Sequence, residues 1–384
     1  MLTIGIEEEF FVVDPKRHTL AADGLPGFDR LKKSSAVGDD GVSGFDDEFQ
    51  LSIVESRTGI CKSLDQVQIE LKLLRNALVN TAGESGLSIV SAGTLPTSDW
   101  RTFRITNKPR YWHIAEHYRE VVNRRATCGC HIHIGIADRD IAVQVLNRVQ
   151  PWLPVLLALS TSSPFYDGAD TGYSSFRSTL WGSFPVAGSP GVFNSYDEYS
   201  AQVQLLVKTG AIVDEGNIFW DARLGTRFET LEFRIADACT TLDETVLLAA
   251  LCRGLTLTCL REIADSKSAT DFRAELLKAA TWRAARHGLD DTLIDVVAAE
   301  KVPAALIIDR FLHYIRAALE ELGDWDTVVD LVEQMQRCGT STQRQHRLFA
   351  ESGNIEYVVD QLIAETSGMP CASVFTSTGV AYGS

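Results

Sequence analysis

Apolar and polar residues alternate along several short stretches in the first two thirds of the chain, which is the period typical of β-strands. The alternation predicts strands over residues 2–13, 49–57, 87–93, 128–135, about 217–222 and 230–237. Three longer segments instead repeat apolar positions at helical spacing. They predict helices over 63–86, 109–125 and 139–160. Pro151 and Pro154 are expected to kink the last of these.

The last third of the chain is different, because from residue 241 to about 364 the pattern is mostly helical. Strands and helices therefore do not alternate as they do in a doubly wound parallel sheet. We expect an α+β fold in which helices flank a largely antiparallel sheet. We treat residues 1–384 as a single domain with a weakly structured tail over 371–384. The Gly-, Ser- and aromatic-rich segment 162–191 is long for a loop, and such loops are often functional.

Composition narrows the class of protein. The 384 residues are 45% hydrophobic and 23% charged, which is ordinary for a globular chain. The formal net charge of −15 argues against a nucleic-acid partner and gives no support for binding to an anionic membrane. An acidic protein that handles an anionic substrate needs arginine, lysine or a divalent metal to mask the repulsion locally.

The chain shows no sign of secretion or of a membrane span. Eight cysteines in a chain of this length do not indicate a disulfide framework. The start, MLTIGIEEEF, lacks the basic region of a signal peptide. The most apolar stretch, 245–260, is interrupted by Arg253 and Gly254. We expect a reduced, cytoplasmic protein.

The segment CGCHIHIG, residues 128–135, suggests zinc at first sight. On a strand, however, Cys128 and Cys130 share one face while His131 and His133 share the other. A structural zinc site needs four converging ligands, and no second CxxC or HxxxH is present. The cysteines are expected to pack in the core, which leaves the two histidines as candidate functional residues.

The strand GIEEEF carries three consecutive glutamates, which are poor strand formers. Alternation places Glu7 and Glu9 on one face, where they repel each other, and Glu8 on the opposite face with Ile6 and Phe10. One interpretation is an edge strand with a solvated acidic face. The other is that a bound cation neutralises the pair.

Two further segments carry acids at strand-like positions. Glu48 and Glu55 are seven residues apart, so both can line one site only if the chain bulges or turns between them. In TLEFRIAD, Glu232 and Arg234 share a face, either as an ordinary ion pair on a sheet or as part of a site. Together with the histidine face, these residues could form a concave acidic surface whose oxygen-rich ligands suit Mg²⁺ or Mn²⁺.

Several motifs occur together and in a characteristic order: GIEEEF, the Glu48–Glu55 segment, the His-X-His strand, SSPFYDGADTGYSSFRS, WDAR and TLEFRIAD. In this order, over roughly residues 2–350, the chain resembles the YbdK-type carboxylate–amine ligases. These are the second type of glutamate–cysteine ligase, and they are related to glutamine synthetase. The resemblance implies a glutamine-synthetase-like catalytic sheet. It also implies ATP-dependent ligation of a carboxylate, typically the γ-carboxyl of glutamate, to an amine such as that of cysteine, and a possible homodimer.

The resemblance also implies roles for individual residues. By position, it assigns the ligands of two divalent ions, Mg²⁺ or Mn²⁺: Glu7, His131 and Glu232 for one, and Glu9, Glu48 and Glu55 for the other. His133 would lie near the phosphates of ATP. Arg234 would contact the γ-phosphoryl group or the substrate carboxylate.

Four other arginines are weaker candidates. Arg177, in the long loop, is a candidate clamp for an amino-acid carboxylate, and Arg223 and Arg227 are similar candidates. Arg344, in CGTSTQRQ, matches a motif near the C-terminal end of the family and is expected to close over the nucleotide.

The sequence also departs from the family pattern, which leaves the substrates open. Leu95, Leu224 and Gly225 replace residues that are often polar, and CGC replaces a Gly-Met pair before the histidines. A ligase for a different acid or amine is therefore an alternative. Two others are a hydrolase with zinc or manganese on His131, His133 and a glutamate, and a binding protein that has lost catalysis.

Overall fold

The structure is a computed structural model that describes residues 2–34 and 43–370. The prediction of a weakly structured tail over 371–384 lies outside the described residues.

An eight-stranded sheet forms the centre of the molecule, and all of its strand pairs are antiparallel. Its strands are β1 (Ile4–Asp14), β2 (Thr19–Leu20), β3 (Gly44–Asp47), β4 (Ile53–Arg57), β5 (Ser88–Val90), β6 (Cys130–Gly135), β11 (Ala222–Leu224) and β12 (Thr230–Phe233). The main order is β11-β12-β6-β1-β4-β3, and β2 and β5 both pair with β1. This confirms the predicted α+β fold with a largely antiparallel sheet.

Six short strands lie outside this sheet, in three two-stranded pairs. They are β7 (Phe165–Tyr166), β8 (Ala169–Asp170), β9 (Ala187–Gly188), β10 (Phe219–Trp220), β13 (Thr292–Asp295) and β14 (Glu300–Pro303). The first three, together with a short helix, occupy the predicted long loop.

Helices account for most of the remaining chain and dominate it after residue 241, as predicted. They are α1 (Phe28–Ser34), α2 (Leu64–Glu84), α3 (Pro109–Tyr118), α4 (Glu120–Asn123), α5 (Arg139–Val149), α6 (Leu153–Leu159), α7 (Phe176–Trp181), α8 (Tyr196–Lys208), α9 (Leu242–Ala264), α10 (Ala274–His287), α11 (Ala304–Leu322), α12 (Trp325–Cys338), α13 (Ser341–Ser352) and α14 (Ile355–Thr366). Three 3₁₀ turns are present at Trp100–Thr102, Gln150–Trp152 and Glu215–Asn217.

One face of the sheet is apolar and lies against helices α2, α5 and α9. Alternation along the strands sends every second side chain into this layer. The strand residues buried there are Ile4, Ile6, Cys130, Ile132, Ile134, Leu231 and Phe233. Burial of these side chains fixes the register of the strands, because a shift of one residue would expose them. The opposite face is left to the alternate, polar residues.

Glu8 is the one acid of the GIEEEF run that points to the helical side. Its carboxylate accepts hydrogen bonds from Arg75 at 2.6 and 3.0 Å and from the Thr245 hydroxyl at 2.7 Å. Arg75 is itself buried and also donates to the carbonyl oxygens of Cys239 and Thr240. This network satisfies a buried charge pair that would otherwise be costly.

Three predicted elements differ from the structure. In the predicted strand 49–57, residues 49–52 form a turn and only 53–57 form a strand. The predicted helix over 109–125 is divided at Arg119, which has a positive φ of 52°. The predicted helix over 139–160 is divided by the 3₁₀ turn that contains Pro151, close to the expected kink. The apolar stretch 245–260 lies within α9, where Arg253 is buried and pairs with Asp324 at 2.9 Å. Within residues 2–34 and 43–370, no helix has the length and apolarity needed to cross a membrane.

Candidate active site

A cavity of about 790 Å³ opens on the polar face of the sheet. Its base is built by β1, β4, β6, β11 and β12, and its walls by the segments 46–50, 108–127, 181–184 and 214–219. All six residues predicted as metal ligands, five glutamates and one histidine, line the cavity: Glu7, Glu9, Glu48, Glu55, His131 and Glu232. The predicted metal ligands come from separated segments of the sequence, and the fold brings them together in one cavity.

The first group of ligand atoms lies where β1, β6 and β12 run side by side. Glu7, His133 and Glu232 each offer one atom, and these atoms all lie within 4.8 Å of one another. The pairing explains the arrangement, because His133 is directly opposite Glu232, and Glu7 is opposite the neighbouring His131. The three side chains project from the same face of adjacent strands.

His133 is placed as a metal ligand would be. Its Nδ1 lies 3.0 Å from the Thr230 hydroxyl oxygen, while its buried Nε2 has no hydrogen-bond partner among the described residues. That Nε2 lies 3.5 Å from Glu7 Oε1. A ring nitrogen fixed by a hydrogen bond, with the other nitrogen free, is the usual state of a metal-binding imidazole.

His131 differs from the role that the resemblance implied. The geometry groups His133, rather than His131, with Glu7 and Glu232. His131 Nδ1 instead lies 3.1 Å from Glu7 Oε2 and 3.5 Å from the Arg234 guanidinium. Burial and the charge of Arg234 lower the pKa of His131 to about 4 despite the nearby acids, so it is neutral at pH 7.

The ionisation of Glu7 depends on the two histidines beside it. Burial raises the pKa of the Glu7 carboxyl, but His133 and His131 outweigh it and hold the pKa well below the ordinary value. Burial likewise lowers the pKa of His133, and Glu7 and Glu232 more than reverse this, so that the net shift is upward. Glu7 is therefore an ionised carboxylate, ready to bind a cation.

The second group consists of Glu9, Glu48 and Glu55, whose ligand atoms also lie within 4.8 Å of one another. Glu9 is directly opposite Glu55 on adjacent strands. Glu48 follows the end of β3, and the chain turns back at 49–52 before β4 begins. The turn required by the seven-residue spacing is present.

The carboxylates of this second group repel one another. Burial and the neighbouring acids raise the pKa of Glu55 well above its ordinary value. Burial and Glu48 raise the pKa of Glu9 to about 8, although Arg177 and the Gly129 amide, 2.6 Å from its oxygen, oppose the shift. Three adjacent carboxylates ionise together only when a cation neutralises them. The all-oxygen donor set fits Mg²⁺ or Mn²⁺.

Two predicted arginines lie against the first group. Arg223 Nε donates to Glu232 Oε2 at 2.7 Å, and Arg234 donates to Glu232 Oε1. Burial raises the pKa of Glu232, but the two guanidinium groups together bring it well below its ordinary value. Both arginines line the cavity, and so does Arg227, which is exposed on the loop between β11 and β12.

The predicted role of Arg177 as a clamp for substrate is not supported by its position. The side chain lies beneath the cavity rather than in its lining, and it is 5% exposed. Its guanidinium donates to the carbonyl oxygens of Arg234 and Ile235 and lies 3.9 Å from Asp237. Loop composition suggested exposure, whereas the short helix α7 buries this residue.

Arg344, which was predicted to close over the nucleotide, does not line the cavity either. It is buried away from the cavity, where it donates to Glu365 at 2.9 Å and to Glu244 at 2.8 Å. These bonds join α13 to α14 and α9. The motif CGTSTQRQ serves packing, since Thr340 and Gln343 form the capping box of α13.

Sequence reasoning missed several residues of the cavity wall. Arg57 pairs with Asp46, Lys108 lies 3.0 Å from Asp47, and Arg110 lies 2.8 Å from Asp214. The missed lining residues that carry charge are Asp46, Asp47, Arg57, Lys108, Arg110, Arg125, Asp214 and Glu215. Polar groups come from Gln50, Tyr111, Thr127, Trp181, Asn217 and Thr226. Arg57 could have been found, because alternation places it on the same face as Glu55. Asp46 and Asp47 lie at the end of β3, a strand that the sequence pattern did not predict. The others come from loops and helices and carry no local signal.

Two of the positions that depart from the family pattern lie in the core. Leu95 and Leu224 are buried in apolar clusters. Gly225 lines the cavity, and a Cβ atom there would lie 2.7 Å from the Phe228 carbonyl oxygen. This part of the wall is formed by backbone rather than by a side chain.

Comparison with protein families identifies one match along most of the chain. A family model described as glutamate-cysteine ligase family 2 (GCS2) matches residues 3–361. A Frankia alni protein named "Putative glutamate--cysteine ligase 2-2" is 40% identical over 375 residues, which are 96% of this chain and 97% of that protein. A Rhodopirellula baltica protein with a name of the same form is 34% identical, over 95% of this chain and 96% of that protein. In a longer Frankia casuarinae relative, 38% identical, the matched region is 43% of the protein.

Solved structures show the same fold at low sequence identity. The glutamate–cysteine ligase from Francisella tularensis in complex with AMP has a TM-score of 0.72 at 14% identity, covering 97% of this chain and 90% of that one. A bifunctional glutathione synthetase from Pasteurella multocida has a TM-score of 0.67 at 16% identity, over 95% of this chain and 52% of that one.

Proposed function

The chain belongs to glutamate–cysteine ligase family 2, and from this premise we propose that it joins the γ-carboxyl of L-glutamate to the amine of an amino acid such as L-cysteine. At the level of the family, the protein is an ATP-dependent ligase that forms a C–N bond. The observation that supports an ATP-dependent reaction in this cavity is the presence of two separate groups of side chains able to hold divalent cations. The choice of glutamate and cysteine rests on the names of the relatives.

The reaction needs such a site because a carboxylate is unreactive toward an amine. Transfer of the γ-phosphoryl group of ATP to a carboxylate oxygen breaks the bond to ADP and forms an acyl phosphate. The amine then attacks the acyl carbon, inorganic phosphate leaves, and the amine loses a proton. Phosphoryl transfer depends mainly on positioning and on neutralisation of charge.

We assign Glu7, His133 and Glu232 to one divalent cation, and Glu9, Glu48 and Glu55 to a second. Mg²⁺ or Mn²⁺ is the metal that these ligands favour. When bound, the cations would supply charge that screens the triphosphate from the acidic surface. Without such screening, each pair of like charges 4 Å apart costs about 4 kcal/mol at an effective dielectric constant near 20.

Arg234 is the residue best placed to contact the transferred group. It lines the cavity between His131 and Glu232, and its guanidinium can make two parallel hydrogen bonds to a phosphoryl or carboxylate group. Arg223 is a positioning residue, because it donates a hydrogen bond to the Glu232 carboxylate. It also donates to the Ile218 carbonyl oxygen at 2.9 Å, which fixes its own side chain. Arg227 lies on the exposed loop and is a candidate for the phosphates.

A reaction that uses ATP and a free thiol requires a reducing compartment that contains nucleotide. We therefore propose that the enzyme acts in the cytoplasm. A homodimer stays a prediction.

A ligase for a different acid or amine is the second candidate. It is favoured by Gly225, which lines the cavity where a polar side chain is common in the family. Such a change leaves both metal-binding groups intact and alters only the wall that contacts a substrate.

Release of ADP from ATP tests the proposal with purified protein, Mg²⁺ or Mn²⁺, and a panel of acids and amines. Rapid ADP release that requires both L-glutamate and L-cysteine, with formation of the dipeptide, is the expected result. Release with another pair would support the second candidate. If no pair releases ADP with either metal, the ligase function is wrong, and hydrolysis that depends on zinc but not on ATP becomes the hypothesis to test.

A further inference from the structure

The cations of the cavity wall differ in whether they have an acid partner. Seven arginine and lysine side chains line the cavity, and five of them pair with protein carboxylates: Arg57, Lys108, Arg110, Arg223 and Arg234. In the part of the chain that the structure describes, Arg125 and Arg227 pair with none. Arg227 is exposed, so water solvates its charge, whereas Arg125 is only 7% exposed.

Arg125 is held in one orientation by an aromatic enclosure. Its guanidinium carbon lies 3.9 Å from the ring centroid of Trp181 and 3.9 Å from that of Phe184. One terminal nitrogen donates to the Leu180 carbonyl oxygen at 3.1 Å. The Gln50 side chain fixes the backbone by donating to the Arg125 carbonyl oxygen at 3.1 Å. The guanidinium is thus positioned before any ligand arrives.

Its remaining donors have no partner in the described residues. Burial lowers the pKa of Arg125 well below its ordinary value, and Arg177 lowers it further, against a smaller effect of Tyr166 and Glu9. An arginine nevertheless stays charged in a protein. A buried, oriented charge without a counter-ion is costly, and an anionic ligand in the cavity would remove that cost.

We propose that Arg125 binds a carboxylate of an amino-acid substrate, other than the carboxylate that is activated, and so makes the enzyme specific for substrates that carry it. This inference rests on the proposed function. An amino-acid substrate brings such a group, and the planar guanidinium can bind it through two parallel hydrogen bonds. The metal-binding groups take the phosphates, which leaves Arg125 and its aromatic wall for the amino acid. The carboxylate belongs either to the donor acid or to the acceptor amine.

The wild-type protein provides the first test through two analogues. Cysteamine is cysteine without its carboxylate, and glutamic acid 1-amide is glutamate with its α-carboxylate neutralised. We expect kcat/KM to fall about 10- to 100-fold for one of the two, as for the loss of a hydrogen-bonded charge. The analogue that is affected identifies which substrate carboxylate the enzyme recognises. If both analogues are used as well as the parent substrates, the inference is wrong.

Variants then connect this preference to Arg125. Arg125→Met keeps the apolar contact with the two rings but removes the charge, and Arg125→Lys keeps the charge but loses the paired donors. Arg125→Met should raise KM for the affected substrate about 10- to 100-fold. KM for its carboxylate-free analogue and for ATP should not change, and Arg125→Lys should be intermediate. Arg124→Met is the matched control, because Arg124 is exposed and pairs with Glu120 outside the cavity.

The outcomes separate this inference from the proposed function. An active Arg125→Met variant that keeps the wild-type preference for the carboxylate overturns the role of Arg125 alone. Absence of ADP release by the wild-type protein with every pair overturns the proposed function and this inference with it. If both variants fail to fold, the inference is still overturned by a wild-type protein that uses both analogues as well as the parent substrates.

Discussion

The two histidines of β6 are separated by one residue but have different environments. The ring of His131 lies between Glu7 and Arg234, whereas His133 leaves Nε2 free and fixes Nδ1 on Thr230. Alternation predicts that they share a face, but it does not show which ring reaches a metal. That distinction depends on the register with β12, which places Glu232 opposite His133.

The different environments predict different effects of substitution on metal binding. His133→Ala should weaken Mn²⁺ binding by at least about 100-fold, and Thr230→Val, which removes the supporting hydrogen bond, by about 10-fold. Titration of Mn²⁺ followed by electron paramagnetic resonance measures both. His131→Ala is the matched comparison. If it weakens binding more than His133→Ala does, His131 is the ligand, as the family resemblance implies.

Glu7 and Glu232 should differ in what they contribute to stability. Glu7→Gln should abolish ADP release with a smaller effect on melting temperature, because the imidazoles beside Glu7 can be neutral once the carboxylate is removed, whereas arginines stay charged. Glu232→Gln should also abolish it, but at a stability cost of about 3–5 kcal/mol, because Arg223 and Arg234 lose their shared counter-ion. Turnover assays and thermal melting test this pair. Equal melting temperatures would contradict the role of Glu232 as the partner of the two arginines.

At the level of elements, long periodic segments were predictable and short or interrupted ones were not. The helix over 63–86 is found as α2, with Ser63 as its N-cap, because twenty residues of helical spacing leave little ambiguity. The hairpin of β13 and β14 was missed, since each strand has only four residues between helices. Arg253 interrupts the apolar run of residues 245–260 but not the helix, because Asp324 from a distant segment pairs with it beside α9.

The packing of α13 gives a prediction that tests the corrected role of Arg344. Arg344→Met should lower stability by about 3–5 kcal/mol, because it leaves Glu244 and Glu365 partly buried without their cation. The KM for ATP of the folded fraction should not change. Urea unfolding and steady-state kinetics measure the two effects, and Arg337→Met, on the exposed side of α12, is the control. A raised KM for ATP at unchanged stability would restore the nucleotide-binding role.

For the whole molecule, the site was more predictable than its surroundings. The acids that line the sheet face could be predicted because period-two alternation orders them along each strand, as for Glu7 and Glu9. The walls could not, because Arg125 and Tyr111 reach the cavity through loops and helices whose positions depend on long-range packing.

The concentration of acids should make the stability of the metal-free protein depend on pH. The pKa of Glu9 is raised to about 8 in the folded state, against about 4.5 when unfolded. Its protonated form therefore stabilises the fold at pH below 4.5, and this contribution is lost as the pH rises toward 8. We expect a loss on the order of a few kcal/mol over that range. Thermal melting with EDTA measures it.

Divalent cations should oppose this loss. Added Mg²⁺ or Mn²⁺ should raise the melting temperature more at pH 8 than at pH 5.5, because binding requires the ionised carboxylates. Glu9→Gln should make the metal-free protein less sensitive to pH while weakening metal binding. A metal-induced rise of equal size at both pH values would argue against a cation at Glu9, Glu48 and Glu55.

In the GIEEEF strand, Glu7 and Glu9 face the cavity while Glu8 faces Arg75 on the opposite side of the sheet. This arrangement limits how this stretch of the gene can vary. Deletion of a single codon within the run would rotate the following residues to the opposite side of the sheet. Phe10 would then take the place of Glu9 in the cavity, and the group formed with Glu48 and Glu55 would lose one of its three carboxylates. Homologous sequences should therefore tolerate some exchanges of residue type here, but no change in the number of residues.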